Sequence, residues 1–413
     1  MRSGRAVIFV ATALLGCAGL AAHAADTSYS EIAKGKALVD AGDCAGCHTA
    51  EKSKPFAGGR SIPTPFGMIE APNITPDVGT GIGGWSEEDF YNALHFGKRP
   101  DGSPLYPAFP YPYYTKLTRE DVRAIYAYLQ TIPPVKNEAH QNRLMWPLNY
   151  RFFMHGWDWV FFDAGEYRPN TQKSPQWNRG AYLVEGAGHC GACHTPKNAL
   201  GGDETSKYLL GGVIQNWFAP TIANNMQNGT GGWSEDDIVE YLKTGRNRFS
   251  GATGPMAEVI EYSTSKMADG DLHAIAVYLK DVSGGTTASV SPPDDKTMNA
   301  GKAIYADSCS GCHQAEGKGI PRMFPPLAGN ANVKSSDPTT VIRVILEGAR
   351  TVPTDPRPTA STMPAYGWKL DDKQVAAVAT YVRNAWGNAA PAVSADQVAK
   401  MRKILHEEHA GGS

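Results

Sequence analysis

The chain has 413 residues, which is too long for one small domain and suits three domains of about 100 residues each. Its composition is 42% hydrophobic and 19% charged, and its 44 glycines and 29 prolines favour loop-rich domains over long helical bundles. The formal net charge is −2 and no stretch is rich enough in lysine and arginine to bind nucleic acid, so we expect no nucleic-acid partner.

Residues 1–24 have the features of a signal peptide. A basic start precedes the apolar run 6–15, and residues 22–24 have the small-x-small form after which signal peptidase cuts. The apolar run is too short for a membrane span. Because the segment has the form of a cleavable leader, we expect export from the cytoplasm. A second interpretation stays open, because residues 14–17 resemble a lipobox, which would make Cys17 a lipid-bearing N-terminus.

A first domain is predicted over residues 25–138. An amphipathic helix over 31–39 leads into Cys44-x-x-Cys47-His48, the attachment signature of c-type haem. Two thiols three residues apart lie on one side of a helical turn and can add to the two vinyl groups of one porphyrin. The adjacent histidine can then ligate the iron.

Two more helices of this domain are predicted from their caps. Ser86 begins one of them, and Thr118 begins the helix that closes the domain. A connector over 139–175 follows, and its residues 152–162 form an aromatic run of 11 residues, too short to span a bilayer. We expect this run to pack between two domains, with a docking surface for a partner subunit or a membrane as the alternative.

A second domain, over 176–285, repeats the plan of the first. Its motif is Cys190-x-x-Cys193-His194, offset by 146 residues from the first motif. A Gly-Gly-Trp-Ser block recurs with Trp85 and Trp233 offset by 148 residues. A near-constant offset over this distance indicates a duplicated domain.

A linker over 286–296 leads to a third domain over 297–390. This domain carries Cys309-x-x-Cys312-His313, lacks the Gly-Gly-Trp-Ser block and is similar to a single-haem cytochrome c. The tail 391–413 is expected to cap the domain, with contact to a membrane surface as the alternative.

The three motifs use every cysteine of the chain except Cys17. Zinc binding or disulfide formation is the alternative, but a zinc site needs two more ligands near each motif, and the sequence offers no second pair there. The sequence therefore predicts three covalently bound haem c groups. The predicted fold is all-α, with three tandem cytochrome c-like domains, each wrapped around one haem.

In an electron-transfer cytochrome c, a methionine from the loop before the closing helix usually completes the iron coordination. Met256 and Met363 stand at that place in the second and third domains, whereas the first domain has Phe109 there. Met154 of the connector is the predicted substitute. The first iron is otherwise five-coordinate or bound by one of the remaining thioether and imidazole candidates, which are Met68, His95, His140 and His155.

On these motifs, on residues 66–77 and on residues 105–111, the chain resembles the tri-haem cytochrome c subunits of membrane-associated periplasmic dehydrogenases. The resemblance covers residues 27–390. Many of these relatives carry methionine at the position of Phe109, so the first haem is expected to differ from the others in potential or spin state.

The resemblance implies an electron-transfer subunit on the periplasmic side of the bacterial inner membrane, peripherally attached or lipid-anchored. A large catalytic subunit (a quinoprotein, a flavoprotein or a molybdenum enzyme), with or without a small third subunit, would oxidise an alcohol, an aldehyde or a sugar acid. Electrons would pass through the three haems to ubiquinone or an oxidase.

No catalytic residues are expected in the chain itself, because it has no dinucleotide-binding fingerprint and no paired-carboxylate motif. Two alternatives remain. A multihaem peroxidase is suggested by Phe109 and would show peroxide turnover, and a stand-alone carrier would purify without a large partner.

Overall fold

The structure is a computed structural model that describes residues 28–226, 229–285 and 290–411. The predicted signal peptide, with Cys17 and Ala24, lies outside the described residues. None of the helices within these three ranges is both long enough and apolar enough to cross a membrane.

The first domain contains five helices and two short strands, and a third strand from the start of the connector joins them in one antiparallel sheet in the order β1-β2-β3. Ser61 pairs with Glu70, and Gly67 pairs with Leu144. Ser86 and Thr118 cap their helices as predicted. The elements are α1 (Tyr29–Ala41), α2 (Cys44–His48), β1 (Ser61–Thr64), β2 (Gly67–Glu70), α3 (Glu87–Phe96), α4 (Tyr111–Tyr114), α5 (Arg119–Leu129) and β3 (Arg143–Leu144).

The connector and the second domain follow. A 3₁₀ turn at Arg151–Phe153 runs into the helix of the connector, and a π-helical turn at Leu183–Ala187 extends the first helix of the domain. Further 3₁₀ turns lie at Thr205–Lys207 and Thr264–Lys266. The elements are α6 (Met154–Phe161), α7 (Pro175–Tyr182), α8 (Gly191–His194), β4 (Gly212–Ile214), β5 (Trp217–Ala219), α9 (Glu235–Thr244), α10 (Pro255–Tyr262) and α11 (Asp269–Asp281).

The third domain ends in the helical tail. Val398, Met401 and Leu405 of this tail are buried in the core of the domain, and Arg402 donates hydrogen bonds to two carbonyl oxygens before α16. The tail therefore caps the domain. The elements are α12 (Asp295–Ser308), α13 (Ser310–His313), α14 (Ala331–Lys334), α15 (Thr339–Glu347), β6 (Ala349–Arg350), β7 (Thr362–Met363), α16 (Asp372–Asn384) and α17 (Ala395–Gly411).

The prediction of an all-α fold was too narrow, because the described residues include seven short strands. Each of these strands has two to four residues, and each pairs antiparallel with another short strand. Strands this short have no room for the alternating pattern by which a strand is recognised in a sequence. The predicted domain boundaries stay predictions.

The first two domains share one apolar core. Leu38, Val122 and Ile125 of the first domain belong to the same buried cluster as Leu183 and Leu272 of the second. The third domain has a separate core. The first two domains therefore pack as one body, to which the third is attached.

A glycine in the first helix of each domain meets the closing helix at close range. A Cβ on Gly35 would overlap the carbonyl oxygen of Ala124, one on Gly180 that of Ala274, and one on Gly301 that of Ala377. Only glycine permits this approach. This crossing of the first and closing helices at a glycine recurs in all three domains and fixes how each domain closes. It could not be recognised from the sequence.

Replacing Gly180 with alanine is expected to lower the free energy of unfolding by roughly 3 kcal/mol, because the new methyl group must push two helices apart. Gly270→Ala is the matched control, because a Cβ at Gly270 has open space around it and alanine favours the helix. Denaturant unfolding of the two holoproteins, followed by circular dichroism, measures the difference. Equal midpoints would contradict the proposed role of the crossing.

Candidate haem sites

Each predicted attachment motif lies on a short helix directly after the first helix of its domain. Cys44 and His48 span α2, while Cys190 and Cys309 stand one residue before α8 and α13. The helical turn brings the two thiols of each pair to the same side as the histidine. The geometry that haem attachment requires is therefore formed in all three domains.

Each of the three motif histidines makes the same kind of hydrogen bond, from its ring to the carbonyl oxygen of a proline. His48 Nδ1–H donates to the carbonyl oxygen of Pro72 at 2.7 Å, His194 to that of Pro220 at 2.6 Å, and His313 to that of Pro325 at 3.0 Å. A carbonyl can only accept, so Nδ1 carries the proton and Nε2 keeps its lone pair. Burial lowers the pKa of all three imidazoles, which keeps them neutral.

These carbonyl partners orient the histidines in the way that second-sphere groups orient metal-bound imidazoles. Two of these carbonyls belong to the Ala-Pro dipeptides at 71–72 and 219–220, which recur with the same offset of 148 residues as Trp85 and Trp233. Their recurrence, in step with that of the motifs, was the signal that pointed to a shared function.

All six motif cysteines are free thiols. Burial raises the pKa of Cys47 and Cys190 to about 12 and that of Cys193 and Cys309 to about 11, so these groups are neutral thiols. Zinc binds thiolates and needs at least three ligands. Within the ranges that the structure describes, no group of three or more histidine, cysteine or acidic side chains is placed to hold a metal ion.

The residues present fit haem c. Each site offers two free thiols for thioether bonds and one imidazole whose free nitrogen is Nε2. When bound, haem iron would supply one-electron redox chemistry. The chain's own residues would hold the porphyrin edge, supply the proximal nitrogen and fix its direction.

Met363 lies on β7, opposite Ala349 of β6, and is half-buried. The loop that carries it is tied to the attachment motif, because the Tyr366 hydroxyl donates to the carbonyl oxygen of Ser308 at 2.7 Å. Ser308 directly precedes Cys309. The structure therefore brings the predicted sixth ligand and the predicted attachment site of this domain together.

Met256 is the second residue of α10 and is half-buried against Ile260 and Val352. Val352 belongs to the third domain, so the predicted sixth ligand of the second haem lies beside the contact between these two domains. The sequence did not predict that Met256 lies beside a contact between domains.

Phe109 stands where the sequence predicts a sixth ligand for the first haem. Its ring centroid lies 5.4 Å from that of Tyr114, whose hydroxyl donates to the carbonyl oxygen of Gly42 at 2.8 Å. Gly42 stands two residues before Cys44, so a tyrosine ties this loop to its attachment motif just as Tyr366 does. A phenyl ring therefore lies where a thioether would be expected.

Met154 is 5% exposed and is the one buried residue of α6. The connector that carries it packs against the loop of Phe109, since Arg151 donates to the carbonyl oxygen of Pro104 at 3.1 Å and the Tyr106 hydroxyl donates to that of Leu148 at 2.9 Å. Met154 is thus close to the loop in the fold. Its ligation of iron stays a prediction.

The other candidates for the first haem are spread over the domain. Met68 is half-buried on β2, where it pairs with Pro63 and Arg143. His140 and His155 are exposed. His95 is buried on α3 with its ring stacked on Tyr91, and its Nδ1 has no hydrogen-bond partner.

The first two attachment motifs face one another across the shared core. His189, which precedes Cys190, has a ring nitrogen 3.3 Å from the carbonyl oxygen of Gly42 and a ring edge-on to Tyr114 at 5.5 Å. Asp43 holds the equivalent place in the first motif, and both residues have positive φ. The sequence analysis missed His189, although its place directly before a duplicated motif could have drawn attention to it.

The second domain also contacts the third domain. Arg246 donates to the Ser361 hydroxyl at 3.2 Å and to the carbonyl oxygen of Thr359 at 2.8 Å. Thr340 exchanges two hydrogen bonds of 2.9 Å with the backbone of Phe218. The second domain therefore contacts both of its neighbours.

Comparisons with known proteins agree with this geometry. A family model described as Cytochrome c matches residues 32–133, 178–283 and 298–386. The gluconate 2-dehydrogenase cytochrome c subunit of Pantoea cypripedii is 40% identical over 414 residues, 94% of either chain. The cytochrome c subunit of the quinone-type alcohol dehydrogenase of Gluconobacter oxydans is 41% identical, over 92% of this chain and 84% of its own. The fructose dehydrogenase cytochrome subunit of Gluconobacter japonicus is 39% identical, over 90% of this chain and 82% of its own.

Proposed function

The chain belongs to the cytochrome c family, and on that premise we propose that it is the electron-transfer subunit of a dehydrogenase complex. The observation that carries the proposal is the threefold recurrence of one site, in which two free thiols lie beside an imidazole whose Nδ1 is held by a proline carbonyl. Relatives of similar length are cytochrome subunits of gluconate, alcohol and fructose dehydrogenases.

The residues of the chain set the properties of the three sites. The motif cysteines would hold three haem c groups, and His48, His194 and His313 would be the proximal ligands. Met256 and Met363 are the proposed sixth ligands of the second and third haems, where a thioether favours the reduced iron. Burial and the hydrogen bond at each Nδ1 then tune the potentials.

We propose that electrons pass through the second haem when they move between the first and the third. Support comes from the position of the second domain, which shares its core with the first and contacts the third through Arg246 and Thr340. The donor would be a large catalytic subunit on the periplasmic side of the inner membrane. The acceptor would be ubiquinone or an oxidase.

Purification from membranes at native expression tests the proposal. We expect the chain to co-elute with a large quinoprotein, flavoprotein or molybdenum subunit, and we expect the substrate of that subunit to reduce all three haems. Elution as a lone tri-haem protein would favour a stand-alone carrier. The reported relatives are cytochrome subunits of dehydrogenases, and they give the peroxidase alternative no support.

A further inference from the structure

The connector presents an apolar surface to solvent. Seventeen large apolar side chains are exposed in the described ranges, and seven of them lie between residues 145 and 160. We call these seven the connector patch: Met145, Trp146, Tyr150, Phe152, Phe153, Trp159 and Val160.

The two tryptophans dominate this patch. Trp146 is 79% exposed and Trp159 is 88% exposed, whereas tryptophan is usually well buried in soluble proteins. Five of the seven side chains are aromatic, and together they expose on the order of several hundred Å² of apolar surface, which is characteristic of an interaction site.

The helix α6 exposes Trp159 and Val160 to solvent, although its one buried residue is Met154. Its acidic residue, Asp158, is half-buried and accepts a hydrogen bond from the hydroxyl of the fully buried Tyr111. Trp157 also faces the protein, where its Nε1–H donates to the carbonyl oxygen of Leu200 at 3.0 Å. The charge therefore faces inward, while Phe152, Phe153, Trp159 and Val160 face outward.

Basic side chains accompany the patch. Arg143 is exposed, and Lys98 and Arg99 are exposed on the neighbouring turn after α3. Arg99 lies close to Arg151, since burial and then the positive charge of Arg99 lower the pKa of the Arg151 guanidinium. Asp101 pairs with Arg99 at 3.6 Å, and the buried Glu70 pairs with Arg143 at 3.4 Å. Of the exposed charged side chains named here, three are basic and one is acidic.

Exposed tryptophan and tyrosine beside arginine and lysine match the boundary of a bilayer, where the rings lie among the headgroups and the cations meet anionic lipids. The interface of a partner subunit would also take aromatic side chains. The positive charge around the patch, in a chain of net charge −2, favours the anionic surface.

We propose that the connector patch docks the protein on the surface of an anionic phospholipid bilayer. This inference rests on the proposed function and specifies its membrane contact. The loop of Phe109 packs against the connector, so the first haem would be the one nearest the lipid.

Co-sedimentation of the holoprotein with phosphatidylglycerol vesicles tests the proposal, with haem absorbance reporting the bound fraction. The double variant Trp146→Ser/Trp159→Ser is expected to bind at least about tenfold more weakly than the wild type, because two rings lose their place in the interface. Trp368→Ser is the matched control, since Trp368 is 83% exposed but lies in the third domain. Mass spectrometry of the N-terminus accompanies the assay, because a lipid on Cys17 would hold every variant to the vesicles.

Vesicle binding that is the same in the double variant and in the wild type, with an unlipidated N-terminus, would overturn the proposal. Loss of the catalytic subunit from the double variant, with vesicle binding unchanged, would assign the patch to a protein partner instead. Haem reduction by the catalytic subunit in detergent is expected to be unchanged in the double variant. If the catalytic subunit fails to reduce the haems of the wild type, that result counts against the proposed function and not against the role of the connector patch.

Discussion

Replacing Met154 with leucine is expected to leave one of the three haems without a sixth protein ligand. Leucine keeps the volume of the buried side chain but has no sulfur to bind iron. Optical and electron paramagnetic resonance spectra of the holoprotein are expected to show a third of the haem in the high-spin state. Redox titration is expected to show a lower potential for that haem alone.

Adding Phe109→Met to this variant is expected to restore a low-spin first haem. The loop of Phe109 is tied to its attachment motif by Tyr114, as the loop of Met363 is tied by Tyr366, so methionine at 109 places a thioether where the third domain has one. Phe109→Leu in the same background is the control and should restore nothing.

An unchanged spectrum in Met154→Leu would remove Met154 from the ligand set. The Phe109→Met single variant would then separate the remaining interpretations. A gain of one low-spin haem would identify the first iron as five-coordinate in the wild type. No change would direct attention to the buried His95, whose Nδ1 is unpaired.

Removing the second haem, by Cys190→Ala together with Cys193→Ala, is expected to stop electron exchange between the first and third haems. The second domain contacts both neighbours, which is why its haem is the proposed intermediate site. Pulse reduction of the isolated holoprotein, followed by the optical change at each haem, measures the exchange. We expect rapid equilibration in the wild type and none above the intermolecular rate in the variant.

The matched variant is Cys309→Ala with Cys312→Ala, which removes the third haem. It should leave exchange between the first two haems unchanged, because their motifs meet across the shared core through His189 and Gly42. Circular dichroism and the spectra of the remaining haems establish that each variant is folded. Rapid exchange between the first and third haems in the absence of the second would contradict the proposed order.

Local features of this fold could be predicted from the sequence because they depend on nearby residues. The capping residues Ser86 and Thr118 begin their helices as expected. The spacing of each motif likewise predicted thiols and imidazole on one helical turn.

Features that join distant parts of the chain could not be predicted in this way. The partner of His48 is a carbonyl 24 residues further on, and Arg246 reaches a loop more than 110 residues away. The aromatic run of the connector was expected to pack between two domains, but four of its large side chains are exposed. Sequence could not show this, because an aromatic run has the same composition whether its rings face inward or outward. Such pairings depend on tertiary packing, which periodicity does not report.

Because the first two domains share one apolar core, neither buries its apolar side chains fully until the other has folded. Thioether formation needs both cysteines of a motif accessible, and in the folded chain the first two motifs are turned toward each other. Both of these attachments must therefore precede collapse of the pair during biogenesis, while the third, on a core of its own, can mature independently.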